Sequence, residues 1–334
     1  EMIQDHQKYL VHLSTDDFHQ NLSLKEYFHS FSLLLDSDKV HILDGYMYPI
    51  DIMRNIFFNI WLIPKLLRVG KKIFIFDGAN ISFDIQQEIL FSMMRIPRLL
   101  LWRHAARRFL SRYRISKFYY YLHEYSYGRF FTYILKKYSP TTKCVGFQHG
   151  PVSSRKLVCM AANQELSAKG DGVTSFPIPD KLLAEEPYSA KIYRKSGYRN
   201  VLVMPKIYRL EYLPKIKRKP EDKTFLIAAG LHDGEFLIKS LWDEIECTPE
   251  ACFILQTHPR ANNKYAFNLP QLENFMVSND SVQKMLSRVT RVYVTYSSVA
   301  IEAKMLGIDV RIVDLPGRIN ESPLIDSDFS AWLV

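Results

Sequence analysis

Three polar clusters in this chain each follow a short apolar run, and each carries groups able to hold phosphate or move a proton. Gln148-His149-Gly150-Pro151 sets a histidine beside a turn-permitting glycine. An imidazole titrating near neutrality suits a general base on a hydroxyl, or a donor to a departing phosphate. Thr257-His258-Pro259-Arg260 stiffens the exit of a second run and projects a histidine and an arginine, whose planar guanidinium matches oxyanions. Thr295-Tyr296-Ser297-Ser298 leads into a helical pattern, so its hydroxyls and free backbone N–H groups stand where a phosphate is well held.

Single residues extend this set. Glu124 follows an apolar run and is a candidate base, nucleophile or orienting partner for His149; Asp77, ahead of Gly78, is a further strand-end carboxylate. Gln148 lies on the acceptor side of the same turn. Gly230 would let backbone come close to a donor, and Glu302, one turn beyond Ser298, is placed for a ribose or base hydroxyl. Each has a plainer alternative: a serine N-cap, a loop histidine, or an acid favoured by a helix dipole. Neither GxGxxG nor GxxxxGK[ST] occurs, so the usual dinucleotide and ATP fingerprints are missing.

The elements that must position these residues alternate between apolar runs and helical stretches in both halves, which predicts an α/β fold with parallel sheets. Strands are expected at 72–76, 118–123, 143–147, 201–204, 224–229, 251–256, 292–294 and 310–313. Helices are expected from Ser82 to Met94, from Tyr127 to Lys137, from 234 to Glu246, and from Val299 to Leu306. In such sheets ligands bind beyond the carboxyl ends of the strands, where the polar clusters fall. A Pro, Lys and Arg-rich stretch at 206–223 reads as a linker between an acceptor domain, 1–205, and a donor domain, 224–334.

With 47% hydrophobic and 24% charged residues in 334, the chain has the composition of a globular protein, which excludes disorder for most of its length. Its net charge of +9 asks for an anionic partner. Arg95, Arg98, Arg103, Arg107, Arg108, Arg112, Arg114 and Lys117 alternate with Leu99, Trp102 and Phe109, a mixture suited to anionic lipid or to a solvated helix face over the core. No zinc-finger, RNP or helix-turn-helix signature supports nucleic acid. Four cysteines without metal spacing read as reduced core thiols. No run reaches the roughly 20 apolar residues of a membrane span, and no signal-peptide order is present; the expectation is a cytoplasmic protein, peripheral on the inner face of the plasma membrane if the basic stretch meets lipid.

The segments GFQHG (146–150), THPR (257–260) and TYSSVAIEAKMLG (295–307) resemble the GT-B group of bacterial surface-carbohydrate enzymes, over roughly residues 70 to 315. One subgroup, similar to CMP-linked β-Kdo transferases and bacterial sialyltransferases, uses His-Pro and Ser-Ser on the nucleotide. Another, the CDP-glycerol glycerophosphotransferases of teichoic acid synthesis, carries HG, HP and D-Y-S-S. The resemblance implies two Rossmann-like domains facing across a cleft. It implies donor contacts from His258, Arg260, Ser297 and Ser298, with His149 at the acceptor-side catalytic position. Gln148-His149-Gly150 stands where retaining Kdo transferases have E-D-G, and Thr295 where the polyol-phosphate enzymes have Asp.

The expected function is transfer of a sugar, Kdo or a related ulosonic acid, from a CMP donor to a lipopolysaccharide or capsule glycan. No metal is expected, because the chain has no DxD at a strand end and basic groups can offset the leaving charge. The alternatives are transfer of a polyol phosphate from a CDP donor, a sugar-nucleotide epimerase of the same fold, and a non-catalytic glycan- or lipid-binding partner in polysaccharide assembly.

Overall fold

The computed structural model describes residues 10–12, 40–76, 79–121, 123–160, 177–258, 266 and 269–325. The chain forms two compact units, one within 1–118 and 129–143, the other within 119–128 and 144–334.

In the first unit β1 (Leu10–His12) pairs in parallel with β2 (Val40–Ile42). Helix α1 (Pro49–Gly70) opens with proline in its first turn, and Asp51 accepts from the Tyr48 N–H at 2.9 Å. A two-residue hairpin follows, β3 (Ile75–Phe76) antiparallel to β4 (Ala79–Asn80), and then the 31-residue helix α2 (Ser82–Arg112). The two long helices are pinned by polar contacts. Arg108 on α2 donates through Nη2 to buried Asp51 at 2.8 Å and through Nη1 to the Tyr46 carbonyl at 2.8 Å. Asn55 donates to the Pro97 carbonyl at 2.7 Å, and buried Trp102 donates to Asp44 at 3.1 Å. The Arg108 guanidinium draws the Asp51 pKa down to about 2.

The remaining strands form two larger sheets. The first runs in the order β5 (Lys117–Tyr120), β6 (Lys143–Phe147), β7 (Lys181–Ala184) and β8 (Val201–Val203), with helix α3 (Ser126–Tyr138) after β5 and α4 (Pro187–Lys195) between β7 and β8. β6 to β7 and β7 to β8 are parallel pairs. Leu182, Ala184 and Val201 pack with Ile192 and Tyr193 of α4 and with Cys159.

The second sheet contains β9 (Thr224–Ala228), β10 (Cys252–Gln256), β11 (Phe275–Ser278), β12 (Arg291–Val294) and β13 (Asp309–Ile312), all parallel, in the order β11-β10-β9-β12-β13. Alternation along each strand feeds two cores. Ile227, Phe253 and Tyr293 bury Leu237, Leu241 and Ile245 of α5 (Gly234–Glu246) on one face. Leu226, Val292 and Val294 meet Met285 of α6 (Val282–Arg288) and Ala300 and Ala303 of α7 (Val299–Met305) on the other. Helices on both faces of a parallel sheet make this the α/β arrangement expected from the sequence.

Several expectations need correction. The run 72–76 is not a buried parallel strand: only Ile75 and Phe76 pair, in a two-stranded antiparallel hairpin, and Ile73 and Ile75 are 77% and 62% exposed. The helix begun at Ser82 does not stop at Met94; it runs through Pro97, so the basic stretch to Arg112 is one continuous helix. The strand placed at 118–123 ends at Tyr120, and His123 and Glu124 lie in a turn. Of the cysteines, Cys144 and Cys159 are buried, but Cys247 at the end of α5 is exposed. Residues 206–223 carry two 3-10 turns and bury Ile207, Leu210 and Leu213 against Ile301 of α7.

Candidate functional site at the carboxyl ends of two parallel sheets

The second sheet has a topological switch point. From β9 the chain steps through β10 to β11 on one side, then returns to lay β12 and β13 on the other. The loops leaving β9 and β12 therefore diverge, and a crevice opens between them. Gly230 follows β9 and Thr295-Tyr296-Ser297-Ser298 follow β12, so two sequence candidates meet at this point. His258 leaves the adjacent β10 at the same sheet edge. Arg260 lies outside the described residues, as does Asp77.

Packing at the switch point is close. A Cβ on Gly230 would sit 2.5 Å from Asp233 Oδ1 and 3.0 Å from the Tyr296 ring, so only glycine fits. The Tyr296 hydroxyl accepts from the His232 N–H at 3.3 Å. Thr295 donates its hydroxyl to Asp233 Oδ2, while buried Asp233 Oδ1 has no hydrogen-bond partner among the described residues. A cavity of about 350 Å3 opens here, lined by Asp233, Thr295, Tyr296, Leu315, Arg318 and Glu321, among others. Arg318 stacks 4.0 Å over the Phe236 ring and donates to the His232 carbonyl at 3.4 Å, which leaves a cation on the cavity wall. Burial raises the pKa of Tyr296 and of Glu321, and Lys156 opposes the rise at Glu321.

Ser297 accepts from the Val299 N–H at 3.4 Å, and the carbonyl of Ser298, the residue before α7, accepts from Ile301 at 3.0 Å. Glu302 faces the 206–213 segment: it accepts from the Tyr212 hydroxyl, and its Oε1 lies 3.9 Å from Arg209.

At the first sheet, His149 leaves β6 exposed, its ring 4.9 Å from that of Tyr121. Gln148 supports this turn from within, donating to the Gly150 carbonyl at 2.8 Å and to Ser189 at 3.1 Å, and accepting from the Glu185 N–H at 2.9 Å. Gly150 adopts φ of 82°, a left-handed conformation that suits glycine. Partial burial lowers the His149 pKa below 6.5; Glu185 opposes this, while Lys156 and Arg209 reinforce it. These effects together favour the neutral imidazole. Lys156 thus acts on both His149 and Glu321, one at the first sheet and one on the cavity wall.

Glu124 is buried and meets His123, with Oε2 3.3 Å from Nδ1. Gly146 makes room for that histidine, since a Cβ there would touch its ring at 3.0 Å. Glu185, at the tip of β7, acts electrostatically on His149. Glu185, Arg209, Asp233, Arg318, Glu321 and Lys156 all escaped sequence reasoning. The only sequence signals were the acid pair Glu185-Glu186 after the Leu-Leu-Ala run and the His-Asp pair after Gly230.

Among the described residues no group of three or more His, Cys, Asp or Glu could hold a metal ion, and no helix is long and apolar enough to cross a membrane. No family model matches the chain, and no curated protein matches it. Solved structures similar to it include UDP-N-acetylglucosamine 2-epimerase from Rickettsia bellii, at 14% identity over 65% of this chain and 61% of that one, TM-score 0.42. The glycotransferase of kitacinnamycin is 14% identical over 71% and 65%, TM-score 0.45. The calicheamicin glycosyltransferase CalG4 is 11% identical over 68% and 62%, TM-score 0.42. The match thus spans less than two thirds of each of those chains.

Proposed function

We propose that the chain is a glycosyltransferase of GT-B type that binds a nucleotide-activated sugar at the β9–β12 switch point and transfers the sugar to a glycan hydroxyl beside His149. The observation that carries this reading is the cavity at the switch point, where Arg318 supplies a cation and Thr295 and Tyr296 supply hydroxyls, with Gly230 packed behind Asp233 and Tyr296. A nucleotide's phosphate needs such a set of donors at a water-poor edge. His258, which leaves the adjacent β10, adds a donor contact.

In the reaction, neutral His149 takes the proton of the acceptor hydroxyl as its oxygen bonds to the anomeric carbon. The bond from that carbon to the phosphate oxygen breaks, and the electron pair leaves with the nucleotide. Arg318 offsets the charge that develops on the phosphate. The resemblance carried by GFQHG, THPR and TYSS supports a CMP-activated ulosonic acid such as Kdo as donor and a lipopolysaccharide or capsule glycan as acceptor. The same motifs support transfer of a polyol phosphate from a CDP donor as a second reading.

The test is incubation with CMP-Kdo labelled in the sugar, and separately with CDP-glycerol labelled in the glycerol, each with a bacterial glycolipid extract. Both reactions release CMP, so the label that reaches the acceptor decides. Labelled Kdo in the glycolipid supports the first reading and labelled glycerol the second. Incorporation of neither, with no cytidine nucleotide raising the melting temperature, removes the cytidine assignment.

A further inference from the structure

Helix α1 is inverted. Its buried residues include Asp51 and Asn55, while its apolar side chains face outward. Met53, Ile56, Phe57, Ile60 and Trp61 recur at three- and four-residue intervals, which places them on one face of the helix. Phe57, Ile60 and Trp61 are 67%, 64% and 56% exposed. The inversion extends beyond this helix: among the described residues, seventeen exposed large apolar side chains fall between 48 and 94, against eleven in the rest. An apolar face this continuous calls for a covering partner.

Charge identifies the kind of partner. Residues 49–114 carry twelve Lys and Arg against four Asp and Glu, so nearly all of the chain's net +9 sits on this helical hairpin. One of those acids, Asp51, is already neutralised by Arg108. Arg54, Lys65 and Arg68 flank the apolar stripe on one side at helical spacing, and the Lys65 ammonium lies 3.2 Å above the Trp61 ring. A helix lying in a membrane surface has this distribution: aromatic and aliphatic groups enter the head-group boundary and the cations meet anionic lipid. Among the described residues no helix is suited to crossing a bilayer, which fits a helix lying along the surface.

We infer that α1 docks the chain on an anionic bilayer through the Met53–Trp61 stripe, with Arg54, Lys65 and Arg68 against the lipid phosphates. This is independent of the nucleotide site, which lies in the other compact unit.

The experiment is flotation of the full chain with vesicles of equal parts phosphatidylglycerol and phosphatidylcholine, and with phosphatidylcholine alone. The chain is expected to float with the anionic vesicles only, and to release as salt is raised. Phe57→Ser with Trp61→Ser should weaken binding by about tenfold or more, because it removes the inserted groups. Arg54→Glu with Lys65→Glu and Arg68→Glu should abolish it. All five side chains are exposed, so both variants should keep the wild-type melting temperature and nucleotide binding. If the chain stays unbound with anionic vesicles, or the charge-reversed variant floats like wild type, the proposal fails. It fails equally if the chain sediments as a dimer that Phe57→Ser with Trp61→Ser splits, since the stripe would then cover a second copy.

Discussion

Arg209 donates through Nε to both carboxylate oxygens of Glu185, at 2.8 and 3.0 Å. The same guanidinium reaches Glu302 at 3.9 Å, and Tyr212 donates to that carboxylate's other oxygen. One arginine from the 206–223 segment therefore holds the tip of β7, beside His149, to helix α7, which follows the Thr295–Ser298 loop.

Both carboxylates are largely removed from water, so losing their shared cation leaves charge unpaired. Arg209→Ala should destabilise the chain by roughly 3 kcal/mol, read from urea unfolding. Glu302→Gln, which keeps an acceptor for Tyr212, should cost less. An equal cost for the two would mean that Arg209 does not unite the pair.

His149 acts as a base only while neutral, and its pKa lies below 6.5. Transfer rate should therefore rise as pH increases through a point below 6.5 and be flat at neutrality. Lys156 holds that pKa down, so Lys156→Met should move the rising limb to higher pH. His149→Ala should lower the rate by about a hundredfold or more while nucleotide binding persists. A wild-type pH profile in Lys156→Met would separate the two residues.

Asp51 has a folded pKa of about 2 against an ordinary 3.8. Its ion pair with Arg108 is complete above the unfolded value and is lost as pH falls from about 4 toward 2. It contributes roughly 2 kcal/mol at neutral pH. Arg108→Met should lower the melting temperature at pH 7, and the difference from wild type should shrink toward pH 2. A constant difference across that range would contradict the assignment.

Much of the second sheet was legible because 224–228, 252–256 and 291–294 are apolar runs rich in β-branched and aromatic residues, each ending at a polar cluster. β7 was missed because Lys-Leu-Leu-Ala has no β-branched residue, and β11 because Phe-Met-Val-Ser is short and half exposed. Sheet topology places Gly230 and the Thr295–Ser298 loop together, so motif reading could find them. Glu185, Arg209 and Arg318 take their places from contacts between residues distant in the chain, which periodicity does not encode. α1 shows the limit from the other side: helical spacing groups Met53, Ile56, Phe57, Ile60 and Trp61 on one face but does not say which way that face turns, and buried Asp51 and Asn55 turn it outward.

The site at the switch point is tested most directly by calorimetric titration of cytidine nucleotides into wild type and Gly230→Val. Any branched side chain at 230 would collide with Asp233 and the Tyr296 ring. Wild type should bind, and the variant should bind about tenfold more weakly or worse, about 1.4 kcal/mol. Equal affinity for the two proteins, or no nucleotide binding by wild type, would contradict a donor site between β9 and β12.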